Sequence, residues 1–244
     1  MPLPEPARIA HAYGNSRTAL LRALNADVDM IEVDIWYRGG DVYAHHARRL
    51  SPLPLLADKK MPGHALPRTA FPVWPGYWAW PHINPLELRE LLETVGGRKR
   101  LLLDVKGRHR EGHSARFAEA IAGRVHEHRA SSWAVVCGQT YPVLNALRRL
   151  DDEIEVRYSL EKPRQWVSFV RKMEAHERVR QVCISRRFLD DEKARILEEN
   201  GVNVYVWTVD DPAEASHWVE RGADGIISND LKLLEALPRR LAHP

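Results

Sequence analysis

Residues 30–36 read MIEVDIW, a run of aliphatic and aromatic side chains interrupted by two carboxylates, Glu32 and Asp34. Alternate residues of a β-strand face the same side, so this spacing predicts that both carboxylates project from one face of a strand. Two like charges repel each other, and each loses hydration when it is buried alone. The pattern is also typical of a strand with one face in water. A hard metal cation between the carboxylates is the interpretation that the surrounding sequence favours.

Other hydrophobic runs also carry polar side chains at or just beyond their ends. Imidazole exchanges protons near neutral pH, carboxylates bind hard divalent cations, and an ammonium group neutralises phosphoryl oxygens. Together these residue types predict metal-assisted acid–base chemistry on an anionic substrate. The residues are His11, His46, Asp104 and Lys106.

Composition narrows the class of protein. Of the 244 residues, 44% are hydrophobic and 28% are charged, which is typical of a globular protein with a sizeable core and argues against disorder. The net charge is only +3, and the basic residues are scattered among acids. This pattern favours a small anionic substrate over nucleic acid.

The cysteines and the apolar runs indicate the compartment. Cys137 and Cys183, the two cysteines of the chain, each lie inside an apolar run, which predicts buried, unpaired thiols. No run approaches the roughly 20 apolar residues of a membrane span, so we expect no stable membrane insertion. Residues 1–10 contain three prolines and no apolar signal-peptide core. A cytoplasmic location is therefore expected, and the oligomeric state is not predicted.

The order of strand and helix signals predicts the fold. After residue 100, strand-like and helix-like stretches alternate to the C-terminus, and two further strands precede them. Counting these gives eight strand–helix units, the number in a (β/α)8 TIM barrel, and we predict one such domain over residues 1–244. Active sites of this fold lie at the C-terminal ends of the strands, where the polar residues above are expected.

Residues 50–85 interrupt this pattern after the second strand. Prolines are concentrated here together with Trp74, Tyr77, Trp78 and Trp80, so we predict an inserted loop that packs on the barrel. Its aromatic residues are expected either to form a stiff rim over the mouth of the site or to fasten the loop to the barrel.

With these residues identified, the chain resembles the glycerophosphodiester phosphodiesterase family, within the barrel phosphodiesterases that include phosphatidylinositol-specific phospholipase C and sphingomyelinase D. The resemblance runs nearly from end to end. Its motifs are IAH at 9–11, IEVD at 31–34, His46 with Leu50, LDVK at 103–106, VWTVDDP at 206–212 and GADGIIS at 222–228.

The resemblance implies a role for each matching residue. It implies that His11 and His46 are the catalytic pair. It further implies that Glu32, Asp34 and Asp104 hold one Mg²⁺ or Ca²⁺ ion and that Lys106 holds the phosphate. Trp207 ends one of the predicted barrel strands. We predict that it forms a wall of the substrate pocket or, alternatively, part of the core.

The chain departs from the family pattern at several positions. Ala12 stands where the family usually has arginine after the first histidine, and Ala47 where it has an acid after the second. Residues 15–18, NSRT, replace a Pro-Glu-Asn-Thr element, and Asp104 stands where glutamate is common. These departures leave the metal and histidine chemistry in place but affect the contacts expected for a glycerophosphodiester.

For several single residues a purely structural role is an open alternative. His11 could be a strand-end histidine bonded to backbone, and Asp104 with Lys106 could be an internal ion pair. Neighbours on an extended segment point in opposite directions, so only one of His45 and His46 can face the site, and the spacing to Leu50 favours His46.

Three functions compete at this stage. The first is metal-dependent hydrolysis of a small phosphodiester of the glycerophosphodiester type, with histidine acid–base catalysis. The second is a phospholipase D-like (sphingomyelinase D-like) activity on lysolipids. The third is an anion-binding barrel with weakened catalysis. A zinc hydrolase of the amidohydrolase type is disfavoured because no His-x-His strand motif is found.

Overall fold

The computed structural model describes residues 6–50, 53–81, 85–107, 111–175 and 179–239. The strands are β1 (Ala7–Ala10), β2 (Met30–Arg38), β3 (Asp41–Ala44), β4 (Arg48–Arg49), β5 (Leu55–Lys59), β6 (Phe71–Trp74), β7 (Tyr77–Pro81), β8 (Leu86–Glu87), β9 (Arg100–Val105), β10 (Ala134–Gly138), β11 (Val156–Leu160), β12 (Gln181–Ser185), β13 (Asn203–Trp207) and β14 (Gly225–Ser228). The helices are α1 (Arg17–Asn25), α2 (Leu88–Val95), α3 (Glu111–Glu127), α4 (Tyr141–Leu150), α5 (Pro163–Glu174), α6 (Asp191–Glu199), α7 (Pro212–Glu220) and α8 (Leu231–Ala236).

Eight parallel strands close into a barrel surrounded by the helices. Around the barrel the order is β1, β2, β9, β10, β11, β12, β13 and β14, and β1 pairs with both β2 and β14 to close it. Each barrel strand is followed by one helix before the next barrel strand begins. The predicted (β/α)8 barrel is confirmed.

The alternation of side chains along the strands builds two separate apolar layers. Inside the barrel a small cluster fills the lower part, with Ile9, Met30 and Leu102 among its members. A larger cluster lies between the strands and the helices and includes Ile31, Val33 and the other outward-facing strand residues. Because odd residues of β2 face the helices, its even residues, including the carboxylates, face the barrel interior.

Short polar signals fix where the helices begin. The Ser16 side chain accepts a hydrogen bond from the backbone N–H of Ala19 at the start of α1, and Asp211 does the same for Glu214 at the start of α7. These side chains satisfy N–H groups that have no partner within the helix. The helices therefore begin directly behind the strand ends that carry the site.

The segment after the β2–β3 hairpin differs from the predicted loop. Strands β4, β5, β7 and β6 form, in that order, a four-stranded antiparallel sheet. Prolines are compatible with it because Pro72 lies on the edge strand β6 and Pro81 is the last residue of β7, where a missing N–H is tolerated. Residues 51–52 and 82–84 of the predicted loop lie outside the described part of the chain. We call residues 48–50 and 53–81 the inserted sheet.

No helix in the described ranges is long and apolar enough to cross a membrane. The cytoplasmic location stays a prediction from the sequence.

Candidate active site

Three carboxylates form a cluster at the C-terminal ends of β2 and β9. Asp34 and Asp104 are register partners on these neighbouring strands, so their side chains lie beside each other. Glu32 precedes Asp34 by two residues and faces the same side of β2. One oxygen from each carboxylate lies within 4.8 Å of the other two. Glu32 and Asp34 are 3% and 0% exposed. The fold thus brings together the three acids that we predicted as metal ligands.

The spacing of these donors fits a hard divalent cation. Oxygens bound to one Ca²⁺ lie about 2.3–2.6 Å from it, so two of them can be at most about 5 Å apart. The three ligand atoms lie within 4.8 Å of one another, which is inside this limit. Mg²⁺ binds oxygen at about 2.0–2.1 Å, so it requires the oxygens to lie within about 4 Å of one another. The donor set is compatible with one hard divalent ion.

The pKa values of the three carboxyl groups are shifted because their charges are buried and lie close together. Burial, followed by the charge of Asp34, raises the pKa of Glu32 well above its usual range. Burial also raises the pKa of Asp104. Burial acts in the same direction on Asp34, but the charges of Lys106 and His46 outweigh it and lower the pKa of that carboxyl. The cluster therefore holds more negative charge than its surroundings compensate, and a cation relieves this repulsion.

Lys106 is the cation that already contacts the cluster. Its Nζ lies 2.7 Å from Oδ1 of Asp34 and also donates to Asp104. Burial acts to lower the pKa of Lys106, but the three carboxylates outweigh it and raise that pKa well above its usual value. Lys106 is thus charged and belongs to an internal ion-pair network at the site, which was the alternative to a phosphate contact. The two roles are compatible because an ammonium group has three N–H donors.

His11 follows β1 and points its ring toward the cluster. Its Nε2 lies 4.0 Å from Oε2 of Glu32. Its Nδ1 is 2.9 Å from Oδ1 of Asn229, whose own amide donates to Asp210 over 2.8 Å. The Asn229 oxygen accepts from Nδ1, so Nε2 is the nitrogen left to face the substrate. Burial lowers the pKa of His11, with the Asn229 hydrogen bond opposing it.

His46 follows β3 and is held by a residue of the inserted sheet. Its Nδ1 donates to Oδ2 of Asp58 on β5. Burial acts to lower the pKa of His46, but the bond to Asp58 and the charges of Asp34 and Asp58 outweigh it, so the pKa is raised. His45 instead stacks on Trp36, with ring centroids 5.5 Å apart, and contacts its own loop. Both rings line the cavity beside the inserted sheet, and of the two it is His46 whose charge acts on Asp34.

The turn after His11 is tied to the carboxylates by backbone and amide groups. The N–H of Ala12 donates to Oε2 of Glu32 over 2.5 Å, and the Asn15 amide donates to Asp34 over 2.6 Å. Gly14 makes this close approach possible, because a Cβ there would lie 2.4 Å from Cβ of Val33 on β2. The turn can therefore orient the two carboxylates only with glycine at this position.

Two cavities lie beside the histidines. The smaller, of about 60 Å³, is lined by His11, Glu32, Asp104, Lys106 and Trp207. Trp207 is half buried, lines this cavity and also packs against the apolar cluster inside the barrel, so it takes part in both of the locations we predicted. The larger cavity, of about 380 Å³, is lined by His46 and residues of the inserted sheet.

Several residues at the site were not predicted from the sequence. Asp210 and Asn229 follow the last two barrel strands, so the same reasoning that selected His11 could have found them. Asp58 and His64 lie in the proline-rich segment, where no strand register could be read. His64 donates from Nε2 to the His11 carbonyl over 3.1 Å, and burial lowers its pKa to about 4.

Comparison with solved structures finds the same barrel fold in several proteins. A protein from Silicibacter pomeroyi DSS-3, named as a candidate glycerophosphoryl diester phosphodiesterase, is 18% identical with a TM-score of 0.72, and the match covers 95% of this chain and 92% of that one. A phosphodiesterase from Oleispira antarctica, solved with its product sn-glycerol-3-phosphate, is 19% identical with a TM-score of 0.69 and coverage of 94% and 95%. A glycerophosphodiester phosphodiesterase from Parabacteroides distasonis ATCC 8503 is 14% identical, with a TM-score of 0.67 and coverage of 95% and 96%. At these identities the likeness establishes a shared fold.

The sequence itself establishes the family. A search of curated proteins found no significant match. The profile of the Glycerophosphoryl diester phosphodiesterase family matches residues 87–233, which is more than half of the chain. The matched region contains Asp104, Lys106 and Trp207, and the preceding part of the barrel supplies both histidines and the other two carboxylates. The chain therefore belongs to the glycerophosphoryl diester phosphodiesterase family and is a phosphoric diester hydrolase.

Proposed function

We propose that this protein hydrolyses glycerophosphodiester-type substrates to an alcohol and glycerol phosphate, using a divalent cation and two histidines. One observation carries the proposal. His11 lies beside a cluster that combines three carboxylates with the ammonium group of Lys106, and His46 lies close enough for its charge to act on Asp34 of that cluster. Binding of sn-glycerol-3-phosphate by the Oleispira antarctica enzyme supports a small phosphate-containing substrate for the same fold.

The roles of the two histidines follow from their partners. His46 donates to a carboxylate, Asp58, which stabilises the protonated imidazolium, so we assign His46 to protonate the leaving alcohol. His11 donates to an uncharged amide oxygen of Asn229 and presents Nε2 toward the cluster, so we assign it to accept the proton of the attacking glycerol hydroxyl. That attack expels the alcohol and leaves a cyclic phosphate, which water then opens to glycerol phosphate. An in-line displacement requires one proton transfer on each side of the phosphorus, and one histidine would serve each side.

The remaining residues of the site would neutralise charge on the phosphate or exclude water from it. Glu32, Asp34 and Asp104 would hold the divalent ion, which supplies neutralisation of charge on the phosphoryl oxygens when it is bound. Lys106 would contribute a further N–H to the same oxygens. Trp207 would close one side of the space that the phosphate occupies and so exclude water.

Phosphorus NMR of the purified protein with glycerophosphocholine, in the presence of Mg²⁺ or Ca²⁺, tests this proposal. We expect appearance of glycerol phosphate, and a loss of about 10²- to 10⁴-fold in rate on changing either His11 or His46 to Ala. His217→Ala is the matched control, because that ring is exposed on α7 and is not among the residues that line either cavity. Full activity in both catalytic variants contradicts the assignment. Metal binding without turnover of any diester would favour the anion-binding barrel instead.

A further inference from the structure

The inserted sheet carries a net charge opposite in sign to that of the rest of the chain. Residues 48–81 contain five basic side chains and one carboxylate, which gives this segment a formal charge of +4. The whole chain carries +3, so the remaining residues together carry −1. The single carboxylate, Asp58, is already paired with His46. The excess positive charge of the protein is therefore concentrated in this segment, at Arg48, Arg49, Lys59, Lys60 and Arg68.

The same segment also exposes large apolar side chains. Six such side chains are exposed among the described residues of the chain, and three of them lie in the inserted sheet. These three are Leu53, Phe71 and Trp74, of which Phe71 is 43% exposed and Trp74 is 48% exposed. The other three are spread over α1, α4 and α5, one on each helix. A single exposed apolar residue is ordinary, whereas a group of them marks an interaction surface.

Strand register places basic and aromatic side chains on one face of the sheet. Ala57 on β5 pairs with Arg48 on β4 and with Ala79 on β7, and Ala79 pairs in turn with Phe71 on β6. Residues paired across strands project from the same face. Arg48 and Phe71 therefore lie on one face, at the two edges of the sheet.

A second row of side chains extends this face. Lys59 follows Ala57 by two residues, so it projects from the same side of β5, and its register partner is Tyr77. Tyr77 pairs with Trp74 on β6, and their ring centroids are 4.9 Å apart. The ammonium group of Lys59 lies 5.2 Å from the centre of the Tyr77 ring. We call the face formed by Arg48, Lys59, Phe71, Trp74 and Tyr77 the outer face of the inserted sheet.

The outer face points away from the catalytic histidine. Asp58 lies between Ala57 and Lys59 on β5, so its side chain projects from the opposite face of the sheet. On that opposite face it bonds to His46. A partner on the outer face therefore leaves the contact between the sheet and the catalytic site in place.

The chemistry of the outer face fits an anionic lipid surface. Lysine and arginine are attracted to anionic head groups, and the amphipathic rings of tryptophan and tyrosine are suited to the depth of those head groups. A second copy of this chain is a poor partner, because both faces would carry the same positive charge. Leu53 offers neither charge nor an aromatic face to a nucleic acid, whereas it can enter the apolar boundary of a lipid layer.

We propose that the outer face of the inserted sheet docks peripherally on an anionic lipid surface. Its basic side chains contact the head groups, and Phe71 and Trp74 enter the boundary between head groups and acyl chains, without any segment crossing the membrane. The proposal goes beyond the hydrolysis proposed above and does not depend on it, because docking requires no substrate in the barrel.

Co-sedimentation with lipid vesicles tests the proposal on the whole chain. One set of vesicles is pure phosphatidylcholine, and the other contains equal parts of phosphatidylcholine and phosphatidylglycerol. We expect binding to the anionic vesicles that weakens as salt is added, and little binding to the neutral ones. Arg48→Glu should lower the partition coefficient about fivefold or more, the factor that one basic residue contributes near an anionic surface. Trp74→Ser should lower it by a similar factor.

Two control variants match these changes elsewhere on the surface. Lys232→Glu alters the net charge by the same amount on α8, where Lys232 is exposed. Leu150→Ser removes an equally exposed apolar side chain at the end of α4, since Leu150 is 52% exposed. Both controls should bind the anionic vesicles as the wild type does. Thermal unfolding of all four variants checks that each is folded.

The outcomes separate docking from catalysis and from other partners. Vesicle binding by a protein that cleaves no diester supports docking even though the proposed function fails. Absent binding, equal binding to both kinds of vesicle, or an equal loss in the control variants overturns the proposal. Two further results also overturn it: a wild-type dimer that Trp74→Ser dissociates, which assigns the face to a second copy, and tighter binding to a duplex oligonucleotide than to the anionic vesicles.

Discussion

The bond between Asp58 and His46 joins the inserted sheet to the catalytic site, so removing the charge of Asp58 tests whether the sheet takes part in catalysis. In Asp58→Asn the side chain keeps its shape but no longer stabilises a protonated His46. The His46 side chain is 38% exposed and that of Asp58 is 18% exposed, so water partly screens the pair and its contribution to stability should stay below about 1 kcal/mol.

The rate should change much more than the stability. Partners that orient a catalytic or ligating histidine typically contribute about 10- to 100-fold, and we expect Asp58→Asn to lower kcat by this amount. Because the carboxylates raise the pKa of His46 against the effect of burial, loss of the Asp58 charge should lower that pKa. If His46 acts as the acid, the alkaline limb of the pH–rate profile then moves to lower pH.

Initial rates with glycerophosphocholine between mildly acid and alkaline pH measure both effects, and thermal unfolding provides the control for folding. The double variant Asp58→Asn with His46→Ala should be no slower than His46→Ala alone, because Asp58 acts through His46. A wild-type rate and an unmoved alkaline limb in Asp58→Asn, at unchanged melting temperature, would refute this role for the inserted sheet.

Three further predictions concern the support of the site. Gly14→Ala should destabilise the protein by about 1–3 kcal/mol, since its Cβ would lie 2.4 Å from Cβ of Val33, and denaturant unfolding beside a Gly123→Ala control in open space measures this cost. The pKa of His64 is about 4 in the folded protein, below the value of about 6.5 expected in the unfolded chain. The contribution of His64 to folding stability is therefore complete above about pH 6.5 and is lost as the pH falls towards 4. His64→Gln should therefore flatten the decline in melting temperature over that window, and an unchanged slope contradicts the assignment. Lys106→Met leaves the carboxylates without their ammonium partner, so its melting temperature should fall in chelator and recover with Ca²⁺ more than that of the wild type.

The barrel and its carboxylates could be predicted from the sequence for simple geometric reasons. A period of two residues places Glu32 and Asp34 on one face, and parallel strands end at one edge of the sheet, so Asp104 at the end of β9 had to lie nearby. The same alternation implied that only one of His45 and His46 faces the site, and the spacing to Leu50 favoured His46. The contact partners of the side chains in the site could not be predicted from the sequence, because strand register depends on contacts between distant parts of the chain.

The inserted sheet shows this limit most clearly. Its prolines indicated irregular structure, yet Pro72 lies on an edge strand, where the lost N–H costs little. Nothing local linked Asp58 to His46, twelve residues earlier, since the contact exists only after β5 pairs with β7. The aromatic residues that we predicted as a rim lie in different places. Trp80 lines the larger cavity, whereas Trp74 is 48% exposed and packs on Tyr77.

The most direct test of the account is the rate of glycerophosphocholine hydrolysis as a function of free Ca²⁺ or Mg²⁺ concentration, measured for the wild type and for Asp104→Asn. The account predicts no turnover in excess chelator, full recovery when the ion is restored, and a half-saturating ion concentration at least about tenfold higher in Asp104→Asn, because one of three charged ligands has been neutralised. Undiminished turnover in chelator, or identical ion dependence in the two proteins, would contradict a metal-dependent site at Glu32, Asp34 and Asp104.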